Sequence, residues 1–152
     1  MTNDGGAVTI RPAAVGDLQR LLVLYAQLEN QPPGPASAHA IGALEAILLA
    51  PYVHLVVAEL DGVVAGTATF VIVPNLTHGG RPWMQLENMV VDETVRRRGV
   101  GRALMVAAER LARQHGCYKI QLQSAEHRTG AHRFYEAAGF RASSKGFRRY
   151  FA

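Results

Sequence analysis

Apolar residues recur along the chain with two different spacings, and each spacing predicts a different kind of element. Spacings of three and four residues predict helices that begin near Asp17 and then cover about 38–49, 100–114 and 130–138. Continuous or alternating apolar runs predict strands over about 8–11, 55–60, 63–73, 87–91, 119–123, 140–144 and 147–151. The sequence therefore predicts a single mixed α/β domain over 8–152, with 1–7 disordered.

Turn residues separate these elements. Asp61-Gly62 lies between two strand-like runs and predicts a two-residue hairpin turn with positive φ. The segments 30–37 and 74–82 are rich in proline and polar residues, so we expect loops there. Gly116 and Gly139 follow two predicted helices and are expected to end them.

The composition fits one globular domain. The chain has 152 residues, of which 49% are hydrophobic and 18% are charged. No apolar run approaches the roughly 18 residues of a membrane span, and the N-terminus lacks the features of a signal peptide. We therefore expect a cytoplasmic protein. The single cysteine, Cys117, excludes an internal disulfide and any Cys-x-x-Cys site.

The net charge of +4 does not by itself indicate a protein that binds nucleic acid. The basic residues concentrate at 96–102 and 128–149, instead of following one helix with interleaved aromatic residues. An anionic cofactor explains the first cluster more economically. No metal site is expected, because His127 and His132 have no acidic partner at the spacing of metal ligands.

The first basic cluster lies where a predicted strand meets a predicted helix. Three arginines beside a helix N-terminus are unfavourable by roughly 0.3–1 kcal/mol each unless an anion binds there. The glycines in 96–101 allow close approach, so the N–H groups of Val100 to Ala103 can surround a phosphate. A solvated basic turn is the alternative. Neither a P-loop nor a Rossmann fingerprint fits, because the turn has no lysine and Leu104 occupies the place of the third glycine.

Two motifs resemble those of the GNAT superfamily of N-acetyltransferases. Arg96-x-x-Gly99-x-Gly101 is similar to the family's Arg/Gln-x-x-Gly-x-Gly/Ala motif, and AHRFYEAAGF at 131–140 is similar to its Ala-x-x-x-Tyr-x-x-x-Gly-Phe segment. The opening TIRPA at 9–13 is a looser match. The resemblance implies a mixed, mostly antiparallel seven-stranded sheet flanked by about four helices. It also implies that acetyl-CoA is the co-substrate.

The resemblance further implies which residues contact acetyl-CoA. These are the main chain before the turn, the turn itself and two later polar residues: Met89, Val90, Val91, Arg96, Arg97, Arg98, Gly99, Val100, Gly101, Arg102, Ala103, Ser124 and Arg128. Main-chain N–H groups around Met89 and Val90 would polarise the acetyl carbonyl, and Val91 would pair with the pantetheine arm. Arg128 stands where family members often have asparagine. With Ser124 and the AHRFY string, it resembles a narrower group that includes aminoalkylphosphonate N-acetyltransferases.

Acetyl transfer to an amine needs a base. An amine of pKa about 10.4 is neutral only about once in 2,500 molecules at pH 7, a deficit of roughly 4.6 kcal/mol. Glu87 lies in the strand where the resemblance implies the base, and apolar surroundings would suit it to work near neutral pH. Tyr135 matches the motif tyrosine, which implies an acid for the departing thiolate. The alternatives are an edge-facing charge or a core salt bridge for Glu87, and a core tyrosine beside Phe134 and Phe140.

The acceptor is the least determined part of the prediction. The resemblance implies that the first two helices, the loop before the central strand and the closing strands border the acceptor site, so four residues are expected to contact it: Tyr25, Glu29, His78 and Arg81. Residues 15–49 hold few acidic side chains for a polycation, whereas one base among several cations suits an amine that carries an anion. The sequence thus favours an amino acid or an aminoalkylphosphonate over an aminoglycoside or a peptide. A non-catalytic acyl-CoA-binding regulator stays open, and a homodimer is a further expectation.

Overall fold

The computed structural model describes residues 6–152, which divide into two compact units. The first unit ends at Gln121, and the second runs from Leu122 to Ala152. Of the seven residues expected to be disordered, the first five lie outside the described residues, and Gly6 and Ala7 form no regular element. The extent of a single domain over 8–152 stays a prediction.

Residues 6–152 form five α-helices, of which the third is a single turn. Their bounds are α1 Leu18–Glu29, α2 Ala38–Leu49, α3 Thr77–Gly80, α4 Val100–Gln114 and α5 Thr129–Ala137. Four of them fall close to the predicted ranges. The fifth, α3, lies inside the predicted loop at 74–82, and His78 and Gly79 within it have left-handed backbone conformations.

In the part of the chain that the structure describes, five strands form one sheet in the order β1-β2-β3-β4-β5. Their bounds are β1 Val8–Pro12, β2 Val53–Leu60, β3 Val63–Val73, β4 Trp83–Val91 and β5 Ile120–Leu122. The pairings of β1 with β2, β2 with β3 and β3 with β4 are antiparallel. Between β2 and β3, Asp61 and Gly62 have φ of 53° and 79°, which confirms the predicted hairpin turn.

The sheet has a helix layer on each face. On one face α4 packs so closely that a Cβ added to Gly66 would lie 2.8 Å from the Val100 side chain. Phe70 is buried on the same face, because side chains alternate along a strand. On the other face α1 and α2 cover an apolar core that includes Leu24 and Leu44. The side chains that face α1 therefore lie on the side opposite α4.

The mixed α/β class and the mostly antiparallel sheet are confirmed, but the prediction of seven strands is wrong for the described residues. The segments 140–144 and 147–151 form no strand. A strand needs a neighbour for its N–H and C=O groups, whereas every residue from Arg141 to Ala152 is exposed. β-Propensity alone was therefore not enough to form these two strands. Among residues 6–152, no helix is long and apolar enough to cross a membrane.

Candidate functional site

The central strand β4 contains a bulge at its middle. Glu87 pairs with Thr69 and Val90 pairs with Thr67, so two residues of β4 stand opposite one residue of β3. Asn88, the first of the two, has φ of 50°. Asparagine adopts this left-handed conformation more readily than most residues. The extra residue turns Glu87 and the buried Val90 to the same face of the sheet, which is the face that α1 covers.

On the side of β4 that faces β5, β4 extends beyond the end of β5. The Met84 N–H donates to Lys119 O at 3.0 Å, and the Tyr118 N–H donates to Pro82 O at 3.0 Å. From one bond to the other the residue number increases in both segments, so the two segments run parallel. Gln121 then lies level with about Leu86. The predicted cofactor contacts Met89, Val90 and Val91 lie farther along this edge, where a ligand can bind as an added strand.

Asp92 fixes the chain as it leaves β4. Its carboxylate accepts hydrogen bonds from the Thr94 N–H at 2.9 Å and the Thr94 hydroxyl at 2.8 Å, and it pairs with the Arg20 guanidinium. Burial alone would raise the pKa of Asp92. The hydrogen bonds from Thr94 and Arg20 outweigh burial and lower it to about 2. The strand end that leads to the turn at 96–101 is therefore held by a buried, ionised carboxylate.

The turn opens α4 with its N–H groups directed out of the helix. Arg97 has φ of 67° and Gly99, the N-cap, has φ of 84°. The Ala103 N–H donates to Gly99 O at 3.0 Å, so this one of the four predicted N–H groups is used within the helix. The N–H groups of 100–102 belong to the first turn, where a helix has no acceptor of its own. With left-handed residues at 97 and 99 before them, they have the geometry expected of an anion site.

The arginines of the turn have different surroundings. Arg96, Arg97 and Arg102 are exposed. Arg98 Nη2 lies 3.2 Å from Asp61 Oδ2 in the β2–β3 hairpin, and both side chains line a cavity of about 270 Å³. The prediction from sequence gave all three consecutive arginines the same role in cofactor binding, but Arg98 also connects the turn to the hairpin.

Glu87 is exposed, and its Oε1 accepts a hydrogen bond from Gln85 Nε2 at 2.8 Å. The apolar surroundings expected for this carboxylate are therefore absent. The physical reason is that its neighbours on the same face, Gln85 and Thr69, are both polar. Of the two alternatives that were left open, a core salt bridge is excluded by this exposure.

Three polar residues that the sequence reasoning missed extend from Glu87 along the same face. Gln121 Nε2 lies 3.5 Å from Gln85 Oε1, and Lys119 Nζ lies 2.8 Å from Gln121 Oε1. Lys119 Nζ also lies 5.1 Å from the ring centre of Trp83. Polar residues at alternate positions of two otherwise apolar strands were the signal that could have found this row.

Tyr25 of α1 reaches the same face as Glu87. Burial raises the pKa of the Tyr25 hydroxyl, and hydrogen bonding to Thr67 and Thr69 offsets part of that rise. Thr69 is the register partner of Glu87. The predicted acceptor residue Tyr25 and the predicted base are thus brought together by α1 packing on the sheet.

The other predicted acceptor residues are not equally available. Glu29 is exposed at the end of α1. The His78 ring stacks on Tyr118 with centroids 3.9 Å apart. Arg81 donates from Nε to Gly116 O and from Nη2 to Cys117 O, each at 3.2 Å. Arg81 therefore holds the connection after α4, which leaves its guanidinium less able to bind a substrate.

The second unit contains the predicted acid. The Tyr135 ring meets Phe134 and Phe140 edge-on, with centroids 5.4 Å and 6.0 Å away. Burial raises the pKa of the Tyr135 hydroxyl, and the charge of Arg128 offsets part of that rise. Tyr135 thus remains a protonated donor at neutral pH, although its ring also has the packing expected of a core tyrosine.

Ser124 gives an independent indication of a ligand in the second unit. Its Oγ is buried and has no hydrogen-bond partner among the described residues. A buried hydroxyl without a partner is costly, so such an atom commonly marks a place where water or a ligand binds. Nearby, the His132 ring lies within 2.9 Å of Ala125 O, which gives this histidine a structural contact.

One protein family matches most of the chain. The sequence model described as the acetyltransferase (GNAT) family matches residues 20–140. Among solved structures, the crystal structure of a transcriptional regulator from Bacillus halodurans C-125 superposes with a TM-score of 0.89 at 29% identity. It covers 95% of this chain and 100% of that chain.

Two curated relatives are named as glucosamine 6-phosphate N-acetyltransferases. The protein of Trypanosoma brucei brucei is 39% identical over 87 residues, which are 57% of this chain and 57% of the relative. The match therefore spans less than two thirds of that relative's length. The protein of Oryza sativa subsp. japonica is 32% identical over 142 residues, which are 90% of this chain and 83% of the relative.

Proposed function

Because the chain belongs to the acetyltransferase (GNAT) family, we propose that it transfers an acetyl group from acetyl-CoA to the primary amine of a small molecule. The observation that carries this proposal is the open edge of β4 between Glu87 and the anion-binding turn. This edge lies beside a carboxylate and leads to the N-terminus of α4. This family is the one that the two sequence motifs predicted.

The residues of the site fit the parts of acetyl-CoA. The first-turn N–H groups of α4, with Arg96, Arg97 and Arg102, suit its phosphates. The main chain of 89–91 suits the pantetheine arm and directs N–H groups to the acetyl oxygen. The unpartnered Ser124 hydroxyl is proposed as a further contact. Acetyl-CoA, when bound, supplies an acetyl group activated as a thioester.

Two side chains move the protons in the proposed reaction. Glu87 takes a proton from the ammonium group of the acceptor, directly or through water, so that nitrogen can attack the carbonyl carbon. As the C–N bond forms and the C–S bond breaks, Tyr135 donates its hydroxyl proton to the sulfur. Overall the amine loses two protons: the one taken by Glu87 is released to solvent, and the other restores the Tyr135 hydroxyl whose proton went to the sulfur.

The proposed acceptor is a small primary amine that also carries an anionic group. Asp17 is buried and pairs with Arg11 at 2.8 Å, which removes one of the few acidic residues of 15–49 from contact with a substrate. Lys119, which lies beside Trp83, supplies a cation in the same row of polar side chains as Glu87. An amino acid or an aminoalkylphosphonate satisfies this pattern. An amino sugar phosphate does so as well, and the two curated relatives are named for such a compound.

A thiol-release assay with acetyl-CoA tests the proposal. The acceptors should include amino acids, aminoalkylphosphonates, glucosamine 6-phosphate, aminoglycosides and peptides. We expect an anionic amine to give the highest kcat/KM. If aminoglycosides or peptides lead by tenfold, the acceptor class is wrong although the reaction stands.

A non-catalytic acyl-CoA-binding regulator is the second candidate, and the similarity to a protein described as a transcriptional regulator favours it. Calorimetric binding of acetyl-CoA without thiol release from any acceptor would support this role. Failure to bind acetyl-CoA at high micromolar concentration and low salt would exclude both roles. A cytoplasmic location and a homodimer stay predictions, and light scattering tests the dimer.

A further inference from the structure

Four side chains from β4, β5 and the residue that precedes β5 form a continuous row of polar contacts on one face of the sheet. Lys119 Nζ donates to Gln121 Oε1 at 2.8 Å, Gln121 Nε2 faces Gln85 Oε1 at 3.5 Å, and Gln85 Nε2 donates to Glu87 Oε1 at 2.8 Å. The row joins two strands that are adjacent in the sheet but distant in sequence. It ends on the carboxylate proposed as the base.

The two residues at the ends of the row, Lys119 and Glu87, determine the donor-to-acceptor direction of its hydrogen bonds. The Lys119 ammonium can only donate hydrogen bonds, and the ionised Glu87 carboxylate can only accept them. Both glutamines must then present their oxygen toward Lys119 and their nitrogen toward Glu87. Any other orientation of either amide places two donors or two acceptors against each other. The row is therefore polarised from a cation to an anion, and its two end bonds are charge-assisted.

We propose that Gln85, Gln121 and Lys119 are positioning residues that hold the Glu87 carboxylate toward the acceptor amine. Gln85 occupies Oε1 and fixes the rotamer of Glu87, and this leaves the second oxygen, Oε2, for the amine or its bridging water. Gln121 and Lys119 act through Gln85, because they orient its amide. Bound substrates exclude water from this exposed face, and the contacts then strengthen.

This inference rests on the proposed role of Glu87 as the base, and a double-mutant cycle tests it. Gln85→Met keeps the approximate size of the side chain but removes its donor. It should lower kcat on the order of tenfold, with the KM for acetyl-CoA within about twofold. Glu87→Gln should lower kcat more. In the Glu87→Gln background, adding Gln85→Met should cause little further loss, since Gln85 has no carboxylate left to position.

The farther members of the row should have smaller effects. Lys119→Met should lower kcat by roughly threefold, and Lys119→Arg should restore most of that loss because it keeps a cationic donor. The matched control for Gln85→Met is Gln114→Met, the same change at the exposed last residue of α4. Its kcat should be unchanged.

A readout that does not depend on turnover completes the test. The side-chain NH₂ signal of Gln85 in ¹H–¹⁵N spectra should move in Glu87→Gln, and that of Gln121 should move in Lys119→Met, while the Gln114 signal stays in place. Additive losses in the cycle, or unmoved signals, overturn the positioning role alone. If the signals move but no acceptor tested gives thiol release, the contacts are supported. The proposed function is then overturned, and the positioning role with it.

Discussion

The same strand-like apolar pattern leads to strands in the first compact unit but not in the second. In the first unit each predicted strand has a neighbour, and three pairings have a definite antiparallel register. In the second unit α5 is the one complete regular element, and 140–152 form neither helix nor strand. The apolar pattern is present in both. The difference teaches that a strand-like pattern becomes a strand only where another strand satisfies its main-chain groups.

The proposed chemistry is divided between the same two units. The first contains Glu87, the bulge and the anion-binding turn, and the second contains Tyr135 and Ser124. Each unit also has one tyrosine with a pKa raised by burial, Tyr25 in the first and Tyr135 in the second. Identical substitutions can therefore be compared between the two regions.

The largest expected effect is that of Gly101→Asp in the first unit. An acidic residue in the first turn of a helix is favourable by roughly 0.3–1 kcal/mol, so α4 should still form. The same charge would repel the phosphates of CoA at the N-terminus of the helix. Acetyl-CoA binding measured by calorimetry should be abolished, while circular dichroism stays unchanged.

Gly42→Asp is the control for this change. Gly42 lies in α2, and nothing lies within 4 Å of a Cβ added there. This variant should bind acetyl-CoA like the unmodified protein. Unchanged affinity in Gly101→Asp would show that the turn does not bind the cofactor.

The next largest effect is expected for Tyr135→Phe in the second unit. The change removes one hydroxyl and little volume, so the contacts with Phe134 and Phe140 remain. Loss of a positioned acid should lower kcat on the order of 10²-fold with a modest change in the KM for acetyl-CoA. An unchanged kcat would leave Tyr135 as a packing residue and would confine the chemistry to the first unit.

Local sequence signals predicted much of this structure. The turn at Asp61-Gly62 and the helix ends at Gly116 and Gly139 have the expected left-handed residues, with φ of 69° and 92° at the two helix ends. These features are determined by a few consecutive residues, so the sequence indicates them directly. The same holds for the start of α4 immediately after Gly99.

Features that depend on long-range pairing were not predicted. The bulge at Asn88 arises from the register between β3 and β4, although a polar residue in the middle of a mostly apolar strand was a signal. The contact between Gln85 and Gln121 requires β4 and β5 to be neighbours. The chemical environment of Glu87 follows from both, which is why its apolar surroundings were wrongly expected.

A smaller effect is expected for the stability of the first unit at acid pH. The pKa of Asp92 falls from 3.8 to about 2 on folding. A lowered carboxyl pKa stabilises the folded state above pH 3.8, and this contribution is lost as the pH falls through that window toward 2. The loss should be about 2 kcal/mol in the free energy of unfolding, measured by urea denaturation.

Asp92→Asn isolates this contribution, because other carboxylates titrate in the same range. The variant should be less stable than the unmodified protein at pH 6 and should lose less stability between pH 4 and pH 2. Asp61→Asn is the matched control, since the exposed pair of Asp61 with Arg98 should contribute little. Equal slopes for Asp92→Asn and the unmodified protein would contradict the assignment.

The smallest effect is expected for Tyr25→Phe, the same chemical change as in the second unit but at the acceptor side of the first. The hydroxyl lies near Thr69, the register partner of Glu87, and takes no part in the proposed proton transfers. Its loss should raise the KM for the acceptor by roughly three- to tenfold, which is the range for one hydrogen bond of about 1 kcal/mol. kcat and the KM for acetyl-CoA should stay within about twofold. If steady-state kinetics instead gave a fall in kcat as large as that of Tyr135→Phe, the division of roles between the two units would be wrong, and Tyr25 would have to be considered as the acid.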